Sequence, residues 1–449
     1  MPDANLKTTG SGEPVIHSAA QSSAIAAGYF VLEGLNTCGA TYYSYYIFFY
    51  LQKHFGFGNV GNLTFAALNG FTYIFSAWYG GKFAQKRGYH TALVFGFCTS
   101  IVMLLFGSRT NSVTGQVIVM VLWTIGICFT WPSLEALVAE RRGPRELPRM
   151  IGIYNLVWSG AGAVTYFCGG AIFERLGEKS LFLLPASIHA FQLLILAWIW
   201  KTSASRQHLT ETGRSGLPLP KGEGRGEGEQ DLPSSQSFPL PDQLLIPPLS
   251  AKAATPTARA FLRMAWLSNP FAYIAINTIV AVIPQIAARF NFSPMFAGFF
   301  CSIWLFVRMG TFLLLWHWPA WHYRFRWLVS AFIGLVVSFT FLLLVPNLFV
   351  LIASQVVFGL SIGLIYYSSL FYSMDVGETK GEHGGIHEAA IGLGIFLGPA
   401  VGATALRLLP QFPNSGAWAV SGLLTVGLGL LLLARRKRGA NSTVPSGLG

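Results

Sequence analysis

The sequence has very little charge. Asp, Glu, Lys and Arg together make up 11% of its 449 residues, while 53% of the residues are hydrophobic and the mean hydropathy is +0.51. A soluble domain of average composition carries about 25% charged residues, so this chain cannot cover a water-exposed surface and a soluble globular protein is excluded. A fully disordered chain is excluded as well, because aromatic residues make up 14% and apolar runs of helical length recur along the sequence.

Cysteine is also scarce, and its placement excludes two kinds of framework. The five cysteines form no close pair and have no histidine at ligand spacing, so they are expected to be small buried residues without a disulfide or a metal. The sequence also lacks a Gly-x-x-x-x-Gly-Lys-Ser/Thr loop, which argues against direct use of ATP. Loops on one side of the predicted membrane are short and carry no nucleophile or paired acids, so we expect no enzyme, no catalytic residue and no cofactor.

The charge that is present is mainly positive. The net charge is +12 and the isoelectric point is about 9.6, values that in a soluble protein would suggest nucleic-acid binding. Here the basic residues lie in short clusters between apolar stretches and form no basic face with interleaved aromatic residues. This arrangement is typical of membrane proteins, and a nucleic-acid partner is not expected.

Twelve apolar stretches are long enough to cross a bilayer, which requires about 20 residues in a helix. They run approximately over residues 26–51, 61–81, 90–108, 114–139, 150–173, 180–201, 262–288, 294–317, 325–345, 347–374, 384–408 and 416–435. Six of them precede a central polar segment and six follow it. The sequence therefore predicts an all-α integral membrane protein.

The same pattern divides the chain into five parts. We expect a polar tail over residues 1–25, an N-terminal lobe over 26–201, a linker over 202–258, a C-terminal lobe over 259–435 and a second tail over 436–449. The linker is rich in Pro, Gly, Ser and charge, and such a composition cannot bury a core, so it is predicted to be disordered. A role in docking a partner stays open as an alternative.

Lys and Arg also predict the orientation. Of the 30 basic residues, 23 lie on one side of the predicted membrane, in the two tails, the linker and the loops on that side. Six lie on the other side, and the remaining one, Arg308, lies within a span. Basic loops remain on the cytoplasmic side of a membrane. We therefore expect a multi-pass protein of the inner (plasma) membrane with both termini in the cytoplasm.

Short sequence matches relate the two halves. Gly152-Ile153 in the fifth span corresponds to Gly385-Ile386 in the eleventh, and the motif Trp131-x-Ser-Leu in the fourth span resembles Tyr367-x-Ser-Leu in the tenth. Two related six-helix lobes are typical of secondary transporters, whose substrate site lies at the lobe interface near the membrane midplane.

The loop between the second and third spans carries a further pattern. Gly81, Lys86 and Gly88 have the spacing of a known loop signature, with Gln85 in place of its acidic residue. On these features the chain resembles the major facilitator superfamily over nearly its whole length. The resemblance implies twelve transmembrane helices in two pseudo-symmetric lobes, with a substrate cavity lined by the first, fourth, seventh and tenth spans.

Ionisable residues inside spans are the sharpest functional signal, because each costs about 2.5–3.5 kcal/mol to insert. Arg308 is nine residues from the end of its predicted span, or about 14 Å along the helix. Two interpretations compete: an ion pair with Glu33 or Glu135 that holds the lobes together, and an anchor for an anionic or hydroxyl-rich substrate. Either acid could also carry a coupling proton.

Glu388 begins the eleventh span and could be a proton site, or form a cytoplasmic gate of ion pairs with Asp375 and His387. A larger set of polar and aromatic residues could supply stacking faces and hydrogen bonds to the cavity. This set is Asn36, Tyr42, Tyr46, Trp131, Asn155, Asn277 and Tyr367.

These features together predict a secondary active transporter that moves a small solute by alternating access with proton coupling, as a symporter. A polar metabolite such as a sugar or an organic acid is favoured, because Arg308 and the acids within spans suit a polar ligand. Its expected partners are this substrate, protons and the bilayer, and the protein is expected to be a monomer. Two alternatives stay open: an efflux transporter of the same fold for drugs or metabolites, and a membrane sensor that does not transport.

The basic-residue count leads to a topological prediction. Reporters fused after Lys201 and after Arg438 should both report the cytoplasm, and reporters at Asn111 or Asn414 should report the opposite side, as measured by paired phosphatase and fluorescent-protein fusions. A cytoplasmic signal at Asn414 would contradict the twelve-span count.

Overall fold

The computed structural model describes residues 13–139, 147–214, 256–376 and 381–441. These ranges form helices joined by short connections. The helices are α1 (Glu13–Phe55), α2 (Asn59–Arg87), α3 (Tyr89–Gly107), α4 (Val113–Ala139), α5 (Leu147–Leu176), α6 (Ser180–Arg214), α7 (Pro256–Arg289), α8 (Pro294–Cys301), α9 (Ile303–His317), α10 (Phe325–Leu344), α11 (Leu348–Asp375), α12 (Gly381–Leu408) and α13 (Ser415–Asn441).

These helices confirm the predicted twelve-span, all-α architecture. Helices α8 and α9 together form the eighth span, interrupted at Ser302, so α10 to α13 are the ninth to twelfth spans. Ten spans are long and apolar enough to cross a membrane by length and composition alone. The other two, α1 and α2, have 43 and 29 residues and are more polar. Helix α2 still exposes large aromatic side chains such as Phe75 and Tyr79 on its outer face.

Several helices extend beyond the predicted lobe boundaries. Helix α1 begins at Glu13, α6 continues past Lys201 to Arg214, and α13 continues to Asn441. An apolar stretch is only as long as the hydrocarbon layer is thick. A helix can continue beyond that layer, because its backbone hydrogen bonds do not require apolar side chains. Parts of the predicted tails and linker are therefore helical. Residues 215–255, the bulk of the predicted linker, lie outside the described residues.

The helices form two lobes, α1 to α6 and α7 to α13. In the first lobe α3 packs on α4 and α6, and α1 packs on α5 and α6. In the second, α11 packs on α9 and α10, and α13 packs on α7, α10 and α12. Between lobes, α2 contacts α12 and α7, while α5 contacts α8 and α9.

The two lobes approach most closely in one half of the bundle. We call the side where α1 begins and α13 ends the terminal side, and the other the distal side. In the distal half, a Cβ atom added to Gly170 would collide with the Pro294 carbonyl oxygen, so only glycine permits this contact. Nearby, the backbone N–H of Met295 donates to Glu174 Oε1 at 2.6 Å. The lobes are therefore closed against each other on the distal side.

The cysteines only partly follow the expectation of burial. Cys128 and Cys301 are buried and Cys38 is half-buried, but Cys98 and Cys168 are exposed. Both lie within apolar spans, α3 and α5, on surfaces that face outward from the bundle. A thiol is apolar enough to face lipid, so an apolar stretch in a membrane protein does not by itself predict burial inside the protein.

The glycine contact leads to a prediction about the distal closure. Gly170→Val should force α5 away from Pro294, because overpacking a close contact costs about 1–3 kcal/mol. In a cysteine-free background, spin labels at Arg109 and Phe412, on exposed distal positions of the two lobes, should move apart in pulsed electron-resonance measurements. Gly422→Val is the matched control, because a Cβ there meets nothing within 4 Å. An unchanged distance distribution in Gly170→Val and in the milder Gly170→Ala would contradict the assignment.

Candidate functional site

A cavity of about 240 Å³ lies between the two lobes. Its walls include residues of α1, α4, α7 and α11, the helices that the resemblance places around a substrate cavity, together with residues of α2, α5, α9 and α12. Five of the residues singled out from the sequence lie on its surface. They are Trp131, Glu135, Asn277, Arg308 and Glu388.

Arg308 is held at the cavity wall by aromatic rings. Its side chain is 8% exposed. The guanidinium carbon lies 4.6 Å from the ring centroid of Trp158 and 5.3 Å from that of Trp304. Cation–π contacts of this kind stabilise a desolvated cation by about 2 kcal/mol. The Nε atom of Arg308 is buried and has no hydrogen-bond partner among the described residues.

The expected ion pair of Arg308 with Glu33 or Glu135 is not formed. In the part of the chain that the structure describes, the ion pairs join Lys53 and His54 to Glu178, and none includes Arg308. The reason lies in the helix faces: Trp304 is one turn before Arg308 on the same face of α9. Arg308 therefore packs against the rings of Trp158 and Trp304, and no carboxylate of the described residues lies within ion-pair distance of it.

Trp158 belongs to the first lobe and is fixed in place by its neighbours. Its Nε1–H donates to Asn155 Oδ1 at 2.8 Å. Its ring contacts Phe312 and Tyr366 of the second lobe, at centroid distances of 5.8 and 5.4 Å. Asn155, which was expected to face the cavity, therefore has a different role, because it orients the ring that covers Arg308.

The carboxyl groups gather in another part of the site. The Tyr73 hydroxyl of α2 donates to Glu388 Oε2 of α12 at 2.6 Å, which is a hydrogen bond between lobes. Glu135 lines the cavity, while Glu33 is fully buried beside it and accepts from Thr37 Oγ1 at 3.3 Å. All three carboxyls lie within electrostatic range of one another.

Two tyrosines interact with both Arg308 and this acidic group. Tyr273 of α7 and Tyr366 of α11 each lie within electrostatic range of Arg308 and also of Glu135 and Glu388. The charged and polar groups that influence Arg308 are tyrosines, among them Tyr45, and include no carboxyl of the described residues. The cavity wall thus carries a cation and two carboxyls that form no ion pair with each other, together with phenol hydroxyls that interact with both.

Besides Asn155, four residues expected at the cavity lie elsewhere. Asn36 donates to Thr130 Oγ1 at 3.1 Å within the first lobe, and this contact joins α1 to α4. Tyr367 packs edge-on against Trp321 on the terminal side of the second lobe. The other two of the four, Tyr42 and Tyr46, lie in the distal half of α1. Asn36 and Tyr367 thus point away from the lumen because they join helices within a lobe.

The two tyrosines of α1 belong to the distal closure. Tyr42 shares a 2.7 Å hydrogen bond with Ser180 Oγ, and Tyr46 donates to the Tyr166 carbonyl oxygen. A Cβ added to Gly298 of the second lobe would lie 2.6 Å from the Tyr46 hydroxyl. Tyr46 therefore packs where the lobes meet rather than in the cavity.

The loop signature lies on the terminal side. Gly81 is buried in α2, Gln85 and Lys86 are exposed, and Gly88 ends the helix with a φ of 93° that favours glycine. Within the described ranges Lys86 joins no ion pair. The side chains of Asp375 and His387, the two predicted gate residues, lie outside the described residues.

Tyr73, Tyr273 and Trp304 are among the site residues that the sequence did not identify. Tyr273 precedes Asn277 by four residues and Trp304 precedes Arg308 by four, and residues four apart share a helix face. Helical spacing from these two candidates could have identified Tyr273 and Trp304. Tyr73 follows Asn69, whose Oδ1 accepts from Thr124 Oγ1 at 2.6 Å in the cavity wall. Because Asn69 was not itself a candidate, the sequence offered no signal for Tyr73.

Solved structures with the same arrangement of helices are transporters. A mutant of the nucleoside transporter NupG superposes with a TM-score of 0.62 at 12% identity, covering 91% of this chain and 99% of that one. A bacterial homolog of the human lysosomal transporter Spinster, in an inward-facing and unoccupied conformation, gives 0.59 at 13% identity, covering 94% and 96%. The human organic anion transporter MFSD10 (TETRAN) gives 0.58 at 15% identity, covering 91% and 98%.

A search of curated protein sequences finds no match. The profile of the Major Facilitator Superfamily matches residues 29–399, which include all of the cavity-lining residues. With the two six-helix lobes and the cavity between them, this match establishes that the chain belongs to the major facilitator superfamily of membrane transporters.

Proposed function

We propose that this protein is a proton-coupled secondary transporter that moves a small organic anion, such as a metabolite with a carboxylate group, across the inner (plasma) membrane. Both termini would lie in the cytoplasm. The observation that carries the proposal is Arg308, a cation in the cavity wall between the lobes that forms no ion pair with a carboxylate of the described residues.

A guanidinium in this position is suited to bind a substrate carboxylate. Arg308 meets Trp158 and Trp304 through cation–π contacts, and its Nε has no hydrogen-bond partner among the described residues. Its N–H groups therefore suit a carboxylate, which can accept two hydrogen bonds in the guanidinium plane. The cavity volume of about 240 Å³ is below the roughly 300–1,000 Å³ of sites for drug-sized ligands. A small metabolite therefore fits better than a bulky drug.

The remaining wall suits the rest of such a molecule. Trp131, Tyr45, Tyr273 and Tyr366 offer apolar ring faces and hydroxyl groups, as a metabolite with both carbon skeleton and polar substituents requires. Asn277 adds an amide whose Nδ2 donates to the Tyr273 carbonyl oxygen at 3.0 Å. Its Oδ1 therefore remains as an acceptor.

Proton coupling is supported by the position of Glu388. This carboxyl lines the cavity and accepts a hydrogen bond from Tyr73 of the other lobe. Gain or loss of a proton at Glu388 changes the strength of a contact that joins the lobes, because hydrogen bonds to an ionised acceptor are about twice as strong as neutral ones. Proton occupancy would thus bias the equilibrium between conformations open to opposite sides.

Transport by the purified protein in lipid vesicles tests the function directly. Labelled sugars, carboxylic acids and amino acids should be compared with and without a pH gradient. We expect uptake of one or more carboxylic acids, with faster accumulation when the outside is more acidic. Saturable binding without flux under either condition would instead favour a sensor, and flux of neutral sugars alone would contradict the anion assignment.

Arg308 should be essential for this transport but dispensable for folding. Arg308→Ala should lower uptake at limiting substrate by about tenfold to a hundredfold, because it removes charge-assisted hydrogen bonds worth about 1.5–3 kcal/mol. No carboxylate is left stranded, so the melting temperature should stay near that of the wild type. Arg308→Lys should keep part of the activity, since lysine preserves the charge without the planar fork.

Arg109→Ala is the matched control for Arg308, because this exposed arginine bonds only to the Leu105 carbonyl oxygen of its own helix among the described residues. It should transport normally. Full uptake by Arg308→Ala in the same vesicles would refute the anchoring role, and a melting temperature many degrees lower would show that Arg308 is structural.

Glu388→Gln should separate coupling from movement of the solute. The variant keeps an acceptor for Tyr73 but cannot exchange a proton, so we expect loss of accumulation driven by a pH gradient while exchange of labelled for unlabelled solute persists. Glu33→Gln is the comparison, because Glu33 is enclosed in the first lobe and does not line the cavity. If gradient-driven accumulation survives Glu388→Gln but is lost in Glu33→Gln, the coupling proton binds at Glu33 and the assignment to Glu388 is wrong.

A further inference from the structure

A second concentration of positive charge lies far from the cavity, on the terminal side of the second lobe. Helices α7, α10 and α13 meet there, and their ends carry six exposed arginines. These are Arg259 and Arg263 of α7, Arg324 and Arg326 at the start of α10, and Arg435 and Arg436 of α13. We refer to these six residues as the arginine surface.

The helix register places these arginines at one depth. Phe271 of α7 contacts Phe332 of α10 at a centroid distance of 5.6 Å, and its ring also packs against Gly427 of α13. From this common layer, Arg263, Arg326 and Arg435 each lie six to eight residues toward the terminal side, or about 9–12 Å along the helices. The three helices therefore bring their arginines to the same level.

A contact between helices confirms this placement for Arg435, and a contact within α10 orients Arg326. The guanidinium carbon of Arg435 lies 5.4 Å from the ring centroid of Phe325, which is the first residue of α10. Arg326 lies 5.6 Å from the ring of its neighbour Trp327. Aromatic rings thus fix the direction of cations from two different helices.

Within the described residues, no acidic side chain forms an ion pair with the arginine surface. The ion pairs that the structure contains in these residues join Lys53 and His54 to Glu178, away from this surface. Like charges held on adjacent helices repel one another, and this repulsion is relieved when an anion is shared between them. Arginine forms two parallel hydrogen bonds with a phosphate oxygen pair, which makes a phosphate group the anion of best fit.

The depth of the surface identifies the source of that phosphate. Leu432 and Leu433, just before Arg435 on α13, are exposed apolar side chains, and so is Ile333 on α10. Exposed apolar side chains on a membrane-spanning helix face lipid tails. Arginines immediately beyond such side chains lie at the level of lipid headgroups, where snorkelling cations are stable.

The corresponding place in the first lobe differs, so the arginine surface is more than a general excess of basic residues on one side. The first, third and sixth spans of that lobe are α1, α3 and α6. At their terminal ends the Tyr29 hydroxyl is hydrogen-bonded to His90 Nε2 at 3.0 Å, and α6 contributes Lys201. Among the residues whose side chains the structure describes, arginines from three helices meet at this position only in the second lobe.

We propose that the arginine surface binds the headgroup of an anionic phospholipid. Because its cations come from three helices, a lipid with two phosphates, such as cardiolipin, should bind more tightly than one with a single phosphate, such as phosphatidylglycerol. The site is separate from the substrate cavity, so the proposal does not depend on which solute is transported.

Lipid binding to the purified full-length chain in neutral detergent tests the proposal. Native mass spectrometry should count bound cardiolipin, phosphatidylglycerol and phosphatidylcholine over a titration of each lipid. The test variant combines Arg263→Gln, Arg326→Gln and Arg435→Gln. Its affinity for cardiolipin should fall at least about tenfold, since each arginine near an anionic surface contributes of the order of a factor of five, while its weak binding of phosphatidylcholine should not change.

The control variant removes the same charge elsewhere on the terminal side. Lys82→Gln, Lys86→Gln and Arg87→Gln replace three exposed basic residues of α2 in the first lobe, and we expect less than a twofold change in cardiolipin affinity. Equal loss in both variants would show unspecific attraction to net charge and overturn the proposal. Wild-type affinity in the test variant would overturn it too.

Two further measurements separate a lipid from a soluble anion, and a loss of binding from a loss of folding. Millimolar inorganic phosphate should not displace cardiolipin; complete displacement would assign the surface to a soluble anion and overturn the lipid assignment. The melting temperature of the lipid-free test variant should equal that of the wild type. If it is lower, the single variant Arg326→Gln replaces the triple variant, and an unchanged affinity for cardiolipin in a stably folded Arg326→Gln would also count against the proposal.

Discussion

The arrangement of the cavity depends on one constraint: a guanidinium that is removed from water must be stabilised without being neutralised. Arg308 is 8% exposed, yet its described neighbours are rings and phenol hydroxyls rather than a carboxylate. Burial of an uncompensated charge is costly, and cation–π contacts with Trp158 and Trp304 offset part of this cost. The positions of the surrounding residues follow from this requirement. Asn155 holds the indole of Trp158, and Phe312 and Tyr366 pack against its ring. Tyr273 and Tyr366 interact with the cation and also with the carboxyls of Glu135 and Glu388.

The contacts that define the cavity are also the contacts that join the lobes. Trp158 comes from the first lobe and Arg308 from the second, and Tyr73 and Glu388 are divided in the same way. A rocking motion of one lobe against the other must therefore alter both pairs, whereas contacts such as Asn36 with Thr130, within one lobe, move as a rigid body. Under the proposed function, occupancy of the cation by a substrate and of the carboxyl by a proton would act directly on the contacts that change during alternating access. No separate relay between the site and the gates is then required.

Much of the fold could be predicted from sequence, because hydrophobic length is a one-dimensional property that a bilayer selects directly. The twelve spans, their division into two lobes and the position of Arg308 and Glu388 within spans all follow from it. The partner of Arg308 could not be predicted in this way. Charge complementarity between Arg308 and Glu33 ignores which helix face each residue occupies and what the other lobe presents, and Trp158 reaches Arg308 only through packing of α5 on α9. The position of Tyr46 depends likewise on the distal contact between lobes, which residues far apart in sequence create. The ends of α1, α6 and α13 extend beyond the prediction for another reason, since a helix can continue into water without any apolar pattern.

That Arg308 forms no ion pair within the described part of the chain also has a mechanistic consequence. A buried pair between Arg308 and Glu33 or Glu135 would cost about 3–5 kcal/mol to break, and a substrate carboxylate would have to supply that free energy before it gained any contact of its own. Because Glu33, Glu135 and Glu388 form no ion pair with Arg308, the cation is available to a substrate carboxylate. A substrate anion would then be the group that completes the charge balance of the cavity. Its binding would lower the cost of keeping Arg308 enclosed between the lobes, so the state with the cavity closed on both sides would be favoured only when substrate is present. With Glu388 protonated and no substrate bound, Arg308 would remain uncompensated, so this form of the carrier would change sides least readily. Coupled transport requires this difference, because movement of a protonated carrier without solute would let protons pass alone, whereas the empty, deprotonated carrier must still return.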